Sequence, residues 1–144
     1  MNSKSFFYEF GRSIYRVDGF YAEYARKSKI KENLLWILYA LNDDKEHSQK
    51  EICDSWDLPR STVNTIMKEL ESNGYVALNQ IKGEKRELNV SLTPKGKEYA
   101  NTLLNDLYDI ENKVFEKIKS TNVIDELNNI ISELYKQEET IKNE

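Results

Sequence analysis

The stretch SQKEICDSWDLPRSTVNTIMKELESNG, residues 48–74, decides the fold. Ser48 followed three residues on by Glu51 is a capping box, so a short helix begins there. That helix carries Ile52 and Cys53 and stops around Trp56-Asp57-Leu58. Pro59 lacks a backbone N–H, a loss that costs nothing at a helix start, so a second helix opens at 59–60. Val63, Ile66, Met67 and Leu70 form its apolar face. Arg60, Ser61, Asn64, Thr65 and Lys68 lie opposite, and Gly74 after Asn73 supplies the C-terminal cap. Two helices joined by three or four residues form a helix-turn-helix candidate.

Working outward, the period changes from helical to alternating. Tyr75 to Ile81 alternates loosely through Val76 and Leu78, and Glu87 to Leu92 cleanly through Leu88, Val90 and Leu92. Lys82-Gly83-Glu84-Lys85-Arg86 between them predicts the charged turn of a β-hairpin. Thr93-Pro94 repeats the helix-start grammar. Tyr99, Leu103, Leu107, Ile110, Val114 and Ile118 then stripe a long helix, and Val123, Leu127, Ile130, Ile131 and Leu134 a last one after Ser120-Thr121-Asn122. Upstream, Phe6, Phe10, Ile14, Val17, Tyr21 and Tyr24 stripe a first helix from about Ser5 to Arg26. Gly11 and Gly19 interrupt it and imply a bend or close backbone packing. Leu34 to Leu41 is apolar nearly all round, which predicts a central helix over roughly 32–42.

The 144 residues suit one domain, and 32% charged against 39% apolar residues describe a polar, globular chain. Leu34 to Leu41 is the longest apolar run, far below the ~18 residues of a membrane span. The start MNSKSFFYEF lacks the pattern of a signal peptide, and a single cysteine suits a reducing compartment, so a cytoplasmic location is expected. One histidine excludes a multi-histidine metal site, and no metal or cofactor is expected. The net charge of -4 is unevenly spread: +4 over residues 1–31, -3 over 32–47, +1 over 48–97 and -6 over 98–144. A local basic face is therefore compatible with an acidic total.

A helix-turn-helix followed at once by a hairpin is a winged helix, and here helices flank it on both sides. Ile52-Cys53-Asp54-x-x-Asp57-Leu58-Pro59-Arg60-Ser61-Thr62-Val63, Leu70-Glu71-x-x-Gly74-Tyr75-Val76, Glu84-x-Arg86 and Leu92-Thr93-x-x-Gly96 follow in order. In sequence and spacing this closely resembles the multiple-antibiotic-resistance regulator (MarR) family. The resemblance implies a mainly α fold with a small β-hairpin wing. It implies a single 1–144 domain, with a DNA-binding lobe over 34–93 and dimerisation helices over 1–33 and 94–144. It implies that the helix at 60–73 enters the major groove of double-stranded DNA, with Arg60, Ser61, Thr62, Asn64, Thr65 and Lys68 at bases or phosphates. Ser48 and Gln49 would offer backbone N–H groups to a phosphate. Glu84, Lys85 and Arg86 would form the wing tip, with Arg86 in the minor groove and Glu84, where the family carries Asp, orienting it.

The same resemblance places a small aromatic ligand near Phe20, Tyr24, Trp36 and Tyr39, although core packing explains Trp36 and Tyr39 more cheaply. Cys53 is expected to be buried and structural, and His47 a solvated side chain in a turn. Phe6, Phe7, Tyr8, Phe10 and Tyr15 are expected to pack a homodimer, whose two-fold axis implies a pseudo-palindromic operator. No phosphate loop, nucleophile elbow or zinc-protease motif is present, so an enzyme is not expected. The reading is thus a homodimeric repressor released by a small ligand. A winged-helix protein-interaction module is the alternative, and it would be expected to show exposed aromatics on the 60–68 face.

Overall fold

The computed structural model describes residues 1–80 and 88–143. Six helices and three short strands follow in the order α1 (Ser3–Lys27), α2 (Glu32–Leu41), β1 (His47–Ser48), α3 (Gln49–Ser55), α4 (Arg60–Ser72), β2 (Val76–Gln80), β3 (Leu88–Leu92), α5 (Pro94–Ile118) and α6 (Val123–Lys142). The chain divides into two compact units, Met1–Leu107 and Tyr108–Glu144.

Local chemistry sets the boundaries. The Ser48 hydroxyl accepts from the Glu51 N–H at 2.9 Å and opens α3. The α4 terminus is a Schellman turn: Gly74 sits at φ +75°, its N–H donates to the Glu71 carbonyl, and that of Tyr75 to the Leu70 carbonyl. Thr93 caps α5, its hydroxyl oxygen accepting from the Gly96 N–H at 3.0 Å. α1 runs without a break through Gly11 and Gly19, and a Cβ at either would meet nothing within 4 Å. Of the two expectations, close backbone packing has no partner among the described residues.

The core of the first unit gathers one face from each element. α2 is its centre, with Leu35, Ile37, Leu38 and Leu41 buried; burying such a side chain fully contributes roughly 1.5–3 kcal/mol. Ile52 and Cys53 of α3, Val63, Ile66, Met67 and Leu70 of α4, Val76 and Val90 of the sheet and Ala25 of α1 close around it. From α5 the buried residues are Gly96, Ala100, Leu104 and Leu107. Of the expected stripe Leu107 is buried, while Ala100 and Leu104 take the places expected of Tyr99 and Leu103, which are half-buried beside them.

The sheet is antiparallel with strand order β1-β3-β2. Val76 pairs with Leu92 and Gln80 with Leu88 in the expected hairpin. The unexpected strand is β1, where His47 pairs with Val90 and Ser48 with Asn89. Among the described residues no helix is long and apolar enough to cross a membrane.

Candidate functional site

Because α4 buries Val63, Ile66, Met67 and Leu70, its geometry turns Arg60, Ser61, Asn64, Thr65 and Lys68 outward as one exposed ridge. Thr62 is half-buried on its flank. The Thr65 hydroxyl donates to the Ser61 carbonyl at 3.0 Å, so its proton is committed while its oxygen can still accept. No aromatic side chain stands on this ridge.

Beside the ridge, a hollow of about 280 Å³ lies between α3 and α4, lined by Gln49, Lys50, Arg60, Ser61 and Asn64 among others. Gln49 spans it, its amide donating weakly to Asn64 Oδ1 at 3.5 Å. Its other polar atom, Oε1, is buried and finds no hydrogen-bond partner among the described residues. A buried acceptor left unpaired costs free energy until a donor arrives. The hollow is thus suited to a polar group that brings an N–H. Ser48 is the N-cap of α3, its hydroxyl accepting from the Glu51 N–H, and Gln49 is the first residue of the helix.

His47 differs from the solvated turn residue expected. It is half-buried in β1, with Nε2 2.8 Å from Asp43 Oδ1 and Nδ1 3.4 Å from Glu51 Oε1. Partial burial pulls its pKa down, yet the hydrogen bonds and charges of Asp43 and Glu51 together outweigh this and raise it above its ordinary value. The Asp43 carboxyl is lowered by its bond to His47. Pairing with β3 buries the ring, and that pairing is invisible in the local sequence. Among the described residues no group of His, Cys, Asp and Glu could hold a metal ion. Cys53 is buried, as expected. Glu84, Lys85 and Arg86, expected at the wing tip, lie outside the described residues.

The four residues expected near a ligand are only partly brought together. Trp36 and Tyr39 are in ring contact, centroids 5.8 Å apart. Trp56, not among the residues expected there, packs tilted against Trp36 with centroids 5.3 Å apart and meets Tyr39 edge-on at 6.0 Å. Phe20 joins this group only through Tyr21, whose ring lies 4.6 Å from Trp36. Tyr24 points elsewhere, donating its hydroxyl to the Leu103 carbonyl at 2.8 Å. At the cluster's edge, burial and a hydrogen bond to Asp18 raise the Glu32 carboxyl above the usual range, and Trp36 Nε1 donates to it at 3.4 Å. A tryptophan in the turn between two predicted helices was the signal for Trp56, since such a turn ordinarily carries small polar residues.

Comparison with known proteins agrees with this architecture. A family model described as the MarR family matches residues 35–87, from within α2 to the wing. The HTH-type transcriptional regulator SarZ of Staphylococcus epidermidis is 26% identical over 117 residues, covering 78% of this chain and 76% of that protein. NMB1585, a MarR family regulator from Neisseria meningitidis, superposes with a TM-score of 0.78 at 24% identity, covering 99% of each chain. Reduced AbfR bound to DNA superposes at 0.69 with 20% identity, covering 94% of this chain and 99% of that one; AbfR is a protein of Staphylococcus epidermidis. A MarR family match over the helix-turn-helix, a transcriptional-regulator relative across three quarters of the chain and a MarR regulator's fold along its length make this chain similar to MarR family transcriptional regulators.

Proposed function

We propose that the protein is a cytoplasmic, homodimeric repressor that binds a pseudo-palindromic operator in double-stranded DNA and is released by a small aromatic ligand. Residues 34–93 read the DNA, and the helices of 1–33 and 94–144 pair the two copies. The observation that carries the reading is the α4 ridge: five exposed polar or cationic side chains on a helix whose opposite face is buried. Asn64 stands one turn beyond Arg60, where its amide can pair bidentately with adenine. Gln49 Oε1, unpaired in the adjoining hollow, can accept from a base amino group or a bridging water. Arg60, Lys50 and Lys68 supply charge for phosphates, and Arg86 serves the minor groove from the wing. The absence of aromatics on the ridge disfavours a protein-docking role for it.

Ligand release is assigned to the Trp36, Tyr39, Trp56 and Tyr21 cluster with Phe20, while Tyr24 positions α1 against α5. A ligand there must favour the arrangement of the two lobes that cannot bind DNA, since equal affinity for both states shifts nothing.

The test is a salt titration of binding to duplexes from upstream of the chain's own gene and to a scrambled duplex, with and without a salicylate-like compound. Asn64→Ala should cost about 1–3 kcal/mol on the operator and little on scrambled DNA. Arg86→Ala should weaken both and lower the salt slope by about one unit per wing. Equal losses on both duplexes for Asn64→Ala would remove base reading by α4. Aromatic compounds that neither quench tryptophan fluorescence nor weaken operator binding would remove the ligand.

A further inference from the structure

On the side of α4 away from α3 lies a larger groove of about 660 Å³, lined by Lys29 and Lys31 from the α1–α2 corner and by Ser61, Thr62, Thr65 and Glu69 from α4. Lys29 holds an unusual backbone, φ +59°. It closes α1 in a Schellman turn, its N–H donating to the Arg26 carbonyl and that of Ile30 to the Ala25 carbonyl. Glycine is the ordinary occupant of that position, because any Cβ is strained there. Asp44 and Asp57 also have positive φ, but a short polar side chain eases this conformation through local hydrogen bonds that a lysine side chain does not make. Strain of this kind persists where a side chain is retained for another purpose.

The charge pattern indicates the purpose. Arg26 and Lys27, just before the corner, are both held by Glu23. No ion pair engages Lys29 or Lys31 among the described residues. Two unneutralised ammonium groups therefore border the groove that α4 shares, and Lys50 borders the hollow on its other flank. A duplex that takes α4 into its major groove, about 12 Å wide, presents one phosphate backbone on each side of a helix of nearly that diameter.

Resting on the DNA-binding reading above, we propose that Lys29 and Lys31 form a phosphate clamp that grips the backbone strand on the flank of α4 opposite Lys50. Glu69 in the same groove repels a phosphate, which places the strand at the Ser61 end, where that hydroxyl can donate to it. The contact is electrostatic and independent of sequence.

The experiment measures binding of the full-length chain to a random-sequence 30-bp duplex across a salt series, with Lys29→Gly, Lys31→Gln, the double variant, and Lys113→Gln on α5 as a control for net charge. Each lysine of the clamp should lower the log–log salt slope by about 0.9 per protomer, and the double variant by about twice that. Lys29→Gly should at the same time raise the thermal unfolding midpoint, because glycine relieves the strained turn. Tighter folding with weaker binding separates a lost contact from a damaged protein. A slope equal to wild type, or a drop no larger than that of Lys113→Gln, overturns the clamp. Retained Asn64-dependent operator binding in that case leaves the DNA-binding reading intact, whereas a wild-type chain that binds no duplex overturns both.

Discussion

His47 joins three parts of the winged helix: its backbone pairs with Val90 in β3, its Nε2 meets Asp43 after α2, and its Nδ1 meets Glu51 in the first turn of α3. Partial burial is the largest single influence on the ring and favours the neutral form; the two carboxylates together favour the proton and prevail. The folded pKa thus lies above the unfolded value of about 6.5. Its contribution to stability is complete below that value and is lost as pH rises through the folded pKa. Asp43 behaves in the opposite sense. Lowered by its bond to His47, it contributes above an unfolded value of about 3.9 and loses that contribution as pH falls through its folded pKa. The cluster is therefore strongest on the mildly acidic plateau between the two. His47→Gln should be less stable than wild type on that plateau by up to about 1 kcal/mol, the scale of such pairs near a surface, and the gap should close in mildly alkaline solution. Urea unfolding of both proteins at about pH 5.5 and 8.5 checks this. A gap that stays constant would show that the ring acts through packing alone.

At the scale of elements, the first turn of α5 is fastened to the turn that ends α4. The Thr93 hydroxyl donates to the Gly74 carbonyl at 2.6 Å, the Thr93 N–H donates to the Tyr75 carbonyl, and the rings of Tyr75 and Tyr99 stack 4.2 Å apart. Gly96 makes this approach possible, since a Cβ built there would lie 1.7 Å from the Tyr75 carbonyl oxygen. Neither partner can yield, because the clash is with backbone. Gly96→Ala should cost at least about 3 kcal/mol in denaturant unfolding, at the upper end of overpacking effects; a loss near zero would mean that the α4–β2 turn shifts freely. The same junction shows what could be read from sequence. Ser48 with Glu51, Asn73-Gly74 and Thr93-Pro94 are local signals, legible because a cap forms from residues within a few positions. The alternation of β3 is local as well, and the α4 ridge is simply the complement of a legible apolar face. Contacts across long stretches of chain were hidden. β1 exists only because Val90 and Asn89 pair with it. The buried row of α5 is chosen between the adjacent Leu103 and Leu104 by the close approach at Gly96, which periodicity does not register. Lys29 and Lys31 share a groove with Ser61 and Thr65 through folding, about thirty positions apart in the chain.

For the whole molecule, the decisive fact is how little of the long helices the protomer covers. α1 has one buried residue, Ala25, and α6 has none. Phe6, Phe7, Tyr8, Ile14, Tyr15, Val17 and Phe20 are exposed on α1, and Gly11 and Gly19 beside them leave room for another backbone. In the second unit Ile110, Val114, Phe115, Ile118, Ile131, Leu134 and Tyr135 are exposed too. Helices in proteins take most of their stability from a packed apolar face. A monomer seldom exposes more than a few hundred Å² of contiguous apolar surface, so these faces call for an occupant. A second copy of the chain would supply both faces and close by two-fold symmetry. It would also set two α4 ridges for half-sites about 34–36 Å apart. The expected outcome is a dimer in sedimentation at micromolar concentration. Val17→Asp with Leu134→Asp should shift it toward monomer while leaving the winged helix folded. That monomer should bind random duplex with about half the wild-type salt slope, because it brings one set of phosphate contacts in place of two. A wild-type chain that sediments as a folded monomer at that concentration, with a salt slope unchanged by the two aspartates, would remove the dimer and the palindromic operator together.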